Sequence, residues 1–232
     1  EKLYMGMLIN GKWTTGSIVR SDKKGAYDRL PRTFRDYISE NNSVYKPESG
    51  RYHLYVSYAC PWACRTLIYR KLKDLDPHIS VSVVHPDMME NGWFFDESYD
   101  GSTEDHLFGA KYLSEVYQKA DTNITTSVTV PVLWDKKINT IVNNESSEII
   151  RMFNSSFNQL TKNYDDYYPV DLKNEIDHFN NKVYPAVNNG VYRTGFAQTQ
   201  KAYDEAVKFL FDTLDELDEV LSKNKYLTGD KI

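Results

Sequence analysis

Cysteine is scarce in this sequence, which has 232 residues and only two cysteines, Cys60 and Cys64. Two thiols are too few for a disulfide scaffold, so we expect a protein of a reducing compartment. Without an organised histidine they are also too few for a zinc site, and no metal is expected. Long apolar runs are missing too. No stretch reaches about 18 apolar residues, which excludes a membrane-spanning helix from this sequence.

Basic charge of the kind that attracts nucleic acid is also lacking. The formal net charge is -5 at pH 7, and no basic stripe reverses it locally. A negative field repels nucleic acid and anionic membrane, so neither is expected as a partner. Hydrophobic residues make up 41% of the sequence and charged residues 26%, which provides enough apolar side chain for a core and excludes global disorder.

The two ends of the sequence indicate a chain that continues. Residues 1–10 lack the charged-then-apolar layout of a secretory signal. We therefore expect a cytoplasmic protein, with organellar targeting upstream of Glu1 left open. At the other end, residues 226–232 have the composition of a loop that enters another element. The sequence predicts that a C-terminal part is missing after Ile232.

A strand, a helix and a strand follow one another after an N-terminal arm over residues 1–50. Residues 52–57 and 79–84 are rich in aromatic and β-branched side chains, which is typical of strands. Between them, residues 62–75 have apolar side chains at helical spacing. Such a unit places its two strands parallel, with a right-handed crossover.

A second pair of strands is predicted at residues 129–134 and 138–142, joined by a polar turn at 135–137. Residues 145–157 then have helical spacing. The order βαβ followed by ββα is that of a thioredoxin-like fold, a mixed four-stranded sheet with helices on its faces. We assign this α/β domain to residues 51–160.

The composition becomes helical after a boundary at residues 158–172. An apolar stripe with alternating steps of four and three residues predicts an amphipathic helix that faces a bundle. Its members are Tyr203, Val207, Leu210, Leu214, Leu217 and Leu221. A shorter stripe of Ile176, Phe179 and Val183 predicts a second helix. We assign residues 170–232 to an incomplete all-α domain.

Cys60-Pro61 stands where the first strand gives way to the first helix. A helix N-terminus offers unpaired N–H groups and partial positive charge, which favour a thiolate over a thiol. Pro61 suits the first helical turn, where its missing N–H costs nothing. An arbitrary cysteine is a small buried hydrophobe, but at this junction we interpret Cys60 as a nucleophile. Cys64, four residues on, is interpreted as a structural thiol rather than a resolving one, because Cys-x-x-x-Cys is not the redox dithiol motif.

Two further sequence elements could bind a peptide-like ligand. A cis peptide at Val130-Pro131 would turn the backbone N–H and C=O of Val130 outward, although an ordinary trans proline remains open. Glu145-Ser146 opens the next helix, where a hydroxyl and N–H groups form a carboxylate site and Glu145 can accept from an α-ammonium. Simple capping by Ser146 or Asn144 is the alternative. A nucleophile, a backbone edge and an amino-acid clamp in one small fold together indicate a glutathione site.

Several motifs in the right order resemble one family. They are GRYHLYVSYACPWACRT at 50–66, VPVLWD at 130–135, NNESSEIIRMF at 143–153 and NNGVY at 188–192 with Gly195-Phe196; GAYDRLPRTFRDYI at 25–38 resembles the family's arm. The family is the Xi-class, omega-like glutathione transferases, the glutathionyl-hydroquinone reductases. Two departures are clear: Cys64 stands where the motif commonly has histidine, and the family's remaining active-site tyrosines are expected beyond Ile232.

The resemblance implies a thioredoxin-like domain, a helical domain and a homodimer, with glutathione as co-substrate and neither metal nor flavin. It implies that Cys60 is catalytic and that Tyr192 lies on the substrate side, where we expect it to act as an acid. It also implies glutathione contacts at Trp93, Val130, Glu145 and Ser146, beside Pro131. On pattern alone Trp93 would be a core aromatic.

The predicted reaction is reductive removal of glutathione from a small aromatic substrate, a glutathionyl-hydroquinone, through a Cys60–glutathione mixed disulfide. An omega-type thiol transferase or dehydroascorbate reductase would use the same cysteine on a disulfide or dehydroascorbate. A non-catalytic binding module with the same fold is the alternative from another class.

Overall fold

The computed structural model describes residues 6–15 and 21–232, and these residues form two compact units. The first unit contains Pro31–Asp166 together with residues 6–15, and the second contains Tyr167–Ile232 together with residues 21–30. The arm predicted over residues 1–50 is therefore divided between the units. Residues 1–5 and 16–20 of that arm lie outside the described residues.

The strands and helices are named here in chain order. The strands are β1 Met7–Ile9, β2 Lys12–Thr14, β3 Tyr52–Val56, β4 Ile79–Val83, β5 Thr126–Ser127, β6 Val132–Asp135 and β7 Thr140–Asn143. The helices are α1 Pro61–Leu72, α2 Leu113–Ala120, α3 Ser146–Ser155, α4 Asn158–Thr161, α5 Lys173–Val183, α6 Gly190–Gly195 and α7 Gln200–Leu221, with a π-helical segment, Tyr184–Asn188, between α5 and α6.

A mixed four-stranded sheet in the order β4-β3-β6-β7 forms the centre of the first unit. Strand β3 runs parallel to β4 and antiparallel to β6, and β6 runs antiparallel to β7. All of β3 is buried, which is expected of a central strand covered on both faces. Helices α1 and α3 pack against each other. The predicted thioredoxin-like arrangement of the N-terminal domain is confirmed.

Helix α1 ends three residues before the predicted limit at residue 75. Pro61 occupies its first turn, and Arg70 and Lys71 occupy its last, where a positive charge is favourable. The chain then leaves the helix because Asp74 adopts a left-handed conformation, with φ of 54°. The sequence signal of Pro77 lies beyond this stop.

The hairpin between β6 and β7 also differs in detail from the prediction. The polar turn spans residues 136–139 rather than 135–137, so β7 begins at residue 140 instead of 138. Asn139 has φ of 52°, a left-handed conformation that breaks the strand there. The Asp135 carboxylate accepts from the Lys137 N–H at 2.8 Å and fixes the turn.

The described part of the arm adds a second, smaller sheet to the first unit. Strand β1 pairs with β2 on one side and with β5 on the other. The indole Nε1 of Trp13 donates to the Glu90 carbonyl at 3.2 Å, and its ring lies against Gly92. A Cβ at Gly92 would approach that ring to 2.6 Å, and the residue has φ of +76°, so only glycine fits here.

The second unit is helical, and the buried face of α7 shares only Leu210 with the predicted stripe. Its buried residues are Ala202, Ala206, Leu210 and Thr213. Tyr203, Leu214 and Leu221 of the predicted stripe are exposed. Both α6 and the π-helical segment contact α7. The small side chains of Ala202 and Ala206 let neighbouring helices approach α7 closely. Within the described residues, no helix is long and apolar enough to cross a membrane.

Candidate active site

Cys60 is the N-cap residue of α1, directly after the loop that leaves β3. Its backbone is extended, with φ of -99° and ψ of 112°, and its carbonyl accepts the first helical bond from the Cys64 N–H at 3.0 Å. The Cys60 N–H donates to the Ser57 carbonyl at 3.1 Å, which closes the loop. The sulfur therefore stands at the end of α1 where partial positive charge collects.

Cys60 is 9% exposed and belongs to the hydrophobic core of the first unit. Its Sγ is 3.6 Å from the carbonyl oxygen of Val130, to which the thiol can donate. Cys60 is thus buried, and its sulfur contacts one of the segments that the sequence predicted to bind glutathione.

The peptide bond between Val130 and Pro131 is cis. The sequence left cis and trans open, and the structure decides for cis. Both residues are buried, and β6 begins directly after them at Val132. The Val130 carbonyl faces the Cys60 thiol, so the sulfur and this backbone segment form one local site.

Glu145 and Ser146 stand at the beginning of α3. Glu145 is the N-cap residue, and its carboxylate accepts from the Ser147 N–H at 3.1 Å. The capping that the sequence offered to Ser146 or Asn144 therefore belongs to Glu145. Ser146 is 3% exposed and is the first helical residue, and the N–H groups of the two residues after it both donate to Glu145.

Arg65 connects α1 to this helix start, and the sequence analysis did not identify it. Its Nε and Nη2 lie 3.0 Å and 2.8 Å from the Ser146 Oγ and donate to it. Its Nη2 also lies 3.7 Å from the Glu145 carboxylate, and its guanidinium is 5.3 Å from the centre of the Trp62 ring. The only sequence signal was its place on the helix that begins at Cys60.

The beginning of α3 is also held by the arm. Arg35 pairs with Glu148 in the first turn of α3, and the Asn143 Nδ2 donates to the same carboxylate at 2.8 Å. The hydrogen bond from Arg35 holds the pKa of Glu148 below its usual value. The helix start thus carries a second fixed negative charge near Glu145, balanced by arginine.

Trp93 lies in the loop that precedes α2. Its side chain is half-buried and packs against the core, and its carbonyl accepts from the Leu113 N–H at 2.9 Å. The preceding residue, Gly92, is the one held by Trp13 of the arm. The structure thus fixes the backbone of Trp93 from both sides.

Tyr192 is in the second unit, on α6. The guanidinium carbon of Arg29 lies 4.3 Å from the centre of its ring, and the ring of Tyr27 stacks on it at 6.4 Å. Arg29 is fixed in turn, because its Nε donates to the Asn189 Oδ1 at 2.7 Å. Arm residues therefore form the surroundings of this tyrosine.

Cys64 is exposed on α1, whereas Cys60 is buried, and neither forms a disulfide. The Cys64 side chain faces solvent in the first turns of α1. It therefore has no packing role that would support its interpretation as a structural thiol. Among the described residues, no group of three or more histidine, cysteine or acidic side chains could hold a metal ion.

Comparison with known proteins identifies the family of the chain. The family model described as "Glutathione S-transferase, N-terminal domain" matches residues 59–156. The chain is 48% identical to "Glutathionyl-hydroquinone reductase YqjG" of Escherichia coli (strain K12), over 98% of this chain and 72% of that protein. The crystal structure of glutathione-S-transferase Xi from Phanerochaete chrysosporium has a TM-score of 0.87 and 49% identity, and covers 92% of this chain and 69% of that one. The glutathione-bound structure of YqjG has a TM-score of 0.86 and 47% identity, over 98% of this chain and 70% of that one.

A thioredoxin-like domain with a cysteine at its first helix, followed by a helical unit, defines an enzyme of the glutathione transferase superfamily. Within it, the chain belongs to the Xi-class glutathione transferases, the family of the glutathionyl-hydroquinone reductases.

Proposed function

We propose that the protein is a glutathione-dependent reductase that removes glutathione from glutathionyl-hydroquinones, with Cys60 as its nucleophile. The observation that carries this proposal is the position of the Cys60 Sγ, at the N-terminus of α1 and 3.6 Å from the Val130 carbonyl oxygen. The helix end favours the thiolate, and the neighbouring backbone can bind a peptide. The name of the relative YqjG supports the choice of substrate.

In the proposed complex, the γ-glutamyl end of glutathione lies at the start of α3. Ser146 would bind its carboxylate through its hydroxyl and its backbone N–H, and Glu145 would accept from its ammonium. The cysteinyl part would pair with the backbone of Val130, beside Pro131, and Trp93 would contact the tripeptide. This placement brings the glutathione sulfur towards Cys60.

The first half-reaction breaks the bond between sulfur and the aromatic carbon. The Cys60 thiolate attacks the glutathionyl sulfur, a sulfur–sulfur bond forms, and the electron pair of the carbon–sulfur bond goes to the ring carbon. That carbon takes a proton, which we assign to Tyr192, and the hydroquinone leaves. The sulfur is oxidised and the carbon is reduced, so no outside electron carrier is needed in this step.

The second half-reaction restores the enzyme. A second glutathione, as thiolate, attacks the glutathione sulfur of the mixed disulfide and releases the Cys60 thiolate. The products are oxidised glutathione and free enzyme, so two glutathione sulfurs supply the two electrons. This ping-pong scheme uses glutathione as its co-substrate, without a flavin.

We further propose that residues 51–160 bind glutathione and that the helical domain from residue 170 contributes the aromatic pocket. A cytoplasmic homodimer is part of the same proposal. The aromatic pocket and the homodimer follow from membership of the family, and the reducing compartment follows from the scarcity of cysteine.

The proposal is tested by steady-state turnover of a glutathionyl-hydroquinone with reduced glutathione. We expect Cys60→Ala to abolish turnover while glutathione binding, measured by calorimetry, is largely kept. The matched control is Cys64→Ser, a thiol of the same helix that is exposed, and we expect it to leave turnover unchanged. Undiminished turnover in Cys60→Ala contradicts the assignment.

Intact mass after incubation with oxidised glutathione provides an independent test. We expect an adduct of about 305 Da on Cys60, reversed by reduced glutathione, in the Cys64→Ser background. That background is needed because Cys64 is exposed and can react by itself. An inert Cys60 favours a non-catalytic module. Faster turnover of dehydroascorbate or of mixed disulfides than of glutathionyl-hydroquinones favours an omega-type thiol transferase.

A further inference from the structure

The proposed function assigns three segments of the first unit to glutathione, at Trp93, at Val130 and at Glu145–Ser146. Helix α2 is hydrogen-bonded at or directly beside each of them. At its beginning, the Leu113 N–H donates to the Trp93 carbonyl at 2.9 Å. One turn later, Tyr117 reaches the two other segments with a single oxygen atom. This helix contains none of the residues assigned to catalysis or to glutathione.

The hydroxyl of Tyr117 makes three hydrogen bonds. It donates to the Thr129 carbonyl at 2.9 Å and accepts from the Thr129 N–H at 3.3 Å. It also accepts from the Asn144 Nδ2 at 3.1 Å. The side chain is 0% exposed, so these bonds are not shared with solvent. Thr129 directly precedes Val130, and Asn144 directly precedes Glu145.

We propose that Tyr117 is a positioning residue that holds the Val130 segment and the Glu145–Ser146 segment in the spacing that glutathione requires. This inference rests on the proposed function. Tyr117 acts through its neighbours, because its hydroxyl is already bonded to both segments and is buried beneath them. It is therefore a determinant of glutathione affinity rather than a catalytic residue.

The physical reason is preorganisation. A tripeptide that bridges two segments binds weakly if binding itself must fix their spacing, because the ordering entropy is then subtracted from the affinity. Thr129 and Asn144 are 15 positions apart in the sequence, so they are connected through β6, β7 and the turn between them. The phenol oxygen joins them directly. The ring of Phe34 packs edge-on against Tyr117 at 6.1 Å and limits its movement.

Tyr117→Phe tests the proposal, because it removes one oxygen and keeps the ring. We expect the KM for glutathione to rise about tenfold, the effect of roughly one net hydrogen bond, with kcat changed less than twofold. The dissociation constant of glutathione, measured by calorimetry, is expected to rise in parallel. The proton donor and the nucleophile are untouched, so the pH profile of kcat is expected to stay the same.

The matched control is Tyr55→Phe. Tyr55 is also 0% exposed, and its hydroxyl donates to the Asp105 Oδ1 at 2.9 Å in the same unit. We expect this variant to lose thermal stability without a change in the KM for glutathione. A rise in KM that is equal in both variants reveals a general structural effect and overturns the proposal.

Asn144→Ala keeps the test valid if Tyr117→Phe folds poorly, because it removes the shared hydrogen bond from the other partner. Asn144→Ala alone is expected to raise the KM for glutathione, and the two changes together are expected to be less than additive, since they break one shared bond. Additive effects, or an unchanged KM in folded Tyr117→Phe, overturn the positioning role and leave the proposed reductase standing. A wild-type protein that does not bind glutathione overturns the proposed function itself.

Discussion

The guanidinium carbon of Arg29 lies 4.3 Å from the centre of the Tyr192 ring. Both residues belong to the second unit, although Arg29 comes from the N-terminal arm. A positive charge over the ring stabilises the phenolate that remains after Tyr192 gives up its proton. The arm thus provides the electrostatic surroundings of the residue that we propose as the acid.

Replacement of Arg29 is expected to slow the carbon-protonation step alone. In Arg29→Gln we expect kcat for a glutathionyl-hydroquinone to fall about tenfold, a fraction of the effect of a general acid. Reduction of a mixed disulfide needs no proton on carbon, so its rate is expected to remain unchanged. The measurement is steady-state turnover of both substrates by the same enzyme preparation.

Arg29→Lys and Tyr192→Phe complete that comparison. The lysine variant keeps the charge and is expected to recover part of the lost turnover, whereas Tyr192→Phe is expected to lose about a hundredfold on the hydroquinone substrate. If Arg29→Gln slows both substrates equally, Arg29 supports the fold of the second unit and not the acid.

The fold and the nucleophile could be predicted from the sequence because their signals are local. Aromatic and β-branched residues mark β3, Pro61 marks the first turn of α1, and Cys60 lies between them within a few positions. The ends of the helices and strands were harder to predict from the sequence. They depend on single left-handed residues, Asp74 and Asn139, which are neither glycine nor proline.

The supporting residues of the site could not be predicted because their contacts are distant in the sequence. Arg65 and Ser146 are 81 positions apart, and Tyr117 and Asn144 are 27 apart. Arg65 lies on the surface of one helix and Tyr117 on the core side of another. No sequence pattern around either residue reveals its distant partner. The same holds for the stripe on α7, since burial there depends on which helices approach.

Arg65 offers a test of how the γ-glutamyl site is ordered. Two of its N–H groups donate to the Ser146 Oγ, at 3.0 Å and 2.8 Å, so the proton of that hydroxyl points elsewhere. In the proposed complex it points to the ligand carboxylate. Arg65→Lys keeps the charge but loses the paired donors, and we expect a roughly tenfold rise in the KM for glutathione with kcat maintained.

Arg70→Lys is the control for Arg65, since Arg70 lies on the same helix. Its Nε donates to the Ile79 carbonyl at 2.7 Å, and its guanidinium pairs with Asp76, away from the start of α3. We expect Arg70→Lys to leave the KM for glutathione unchanged. An unchanged KM in Arg65→Lys as well removes Arg65 from the organisation of the site.

The stability of the first unit is expected to depend on pH through His53. This side chain on β3 is fully buried, with its Nδ1 at 2.7 Å from the Ser80 Oγ and its Nε2 at 3.0 Å from the Ser82 Oγ. Burial lowers the pKa of His53 to about 3, because the charged imidazolium loses its hydration. In the unfolded chain the same group has an ordinary pKa near 6.5.

The direction of the pH dependence of stability follows from which state, folded or unfolded, binds the proton. Below pH 6.5 the unfolded chain takes up a proton that the folded protein does not accept until about pH 3. The stabilisation by neutral His53 is therefore complete above pH 6.5 and is lost as the pH falls towards 3. Between pH 6 and 5 this group alone is expected to lower the free energy of unfolding by about 1.2 kcal/mol.

Urea unfolding of the His53→Gln variant at pH 7.5, 6 and 5 measures this contribution. The glutamine cannot ionise, so the variant is expected to be less stable than the wild type at pH 7.5 but to lose less stability on acidification. His106→Gln is the control, because His106 is exposed and its Nδ1 is hydrogen-bonded to the Oγ of the same Ser82. We expect His106→Gln to keep the wild-type slope. Parallel pH dependences of the wild type and His53→Gln show instead that the core admits the charged imidazolium.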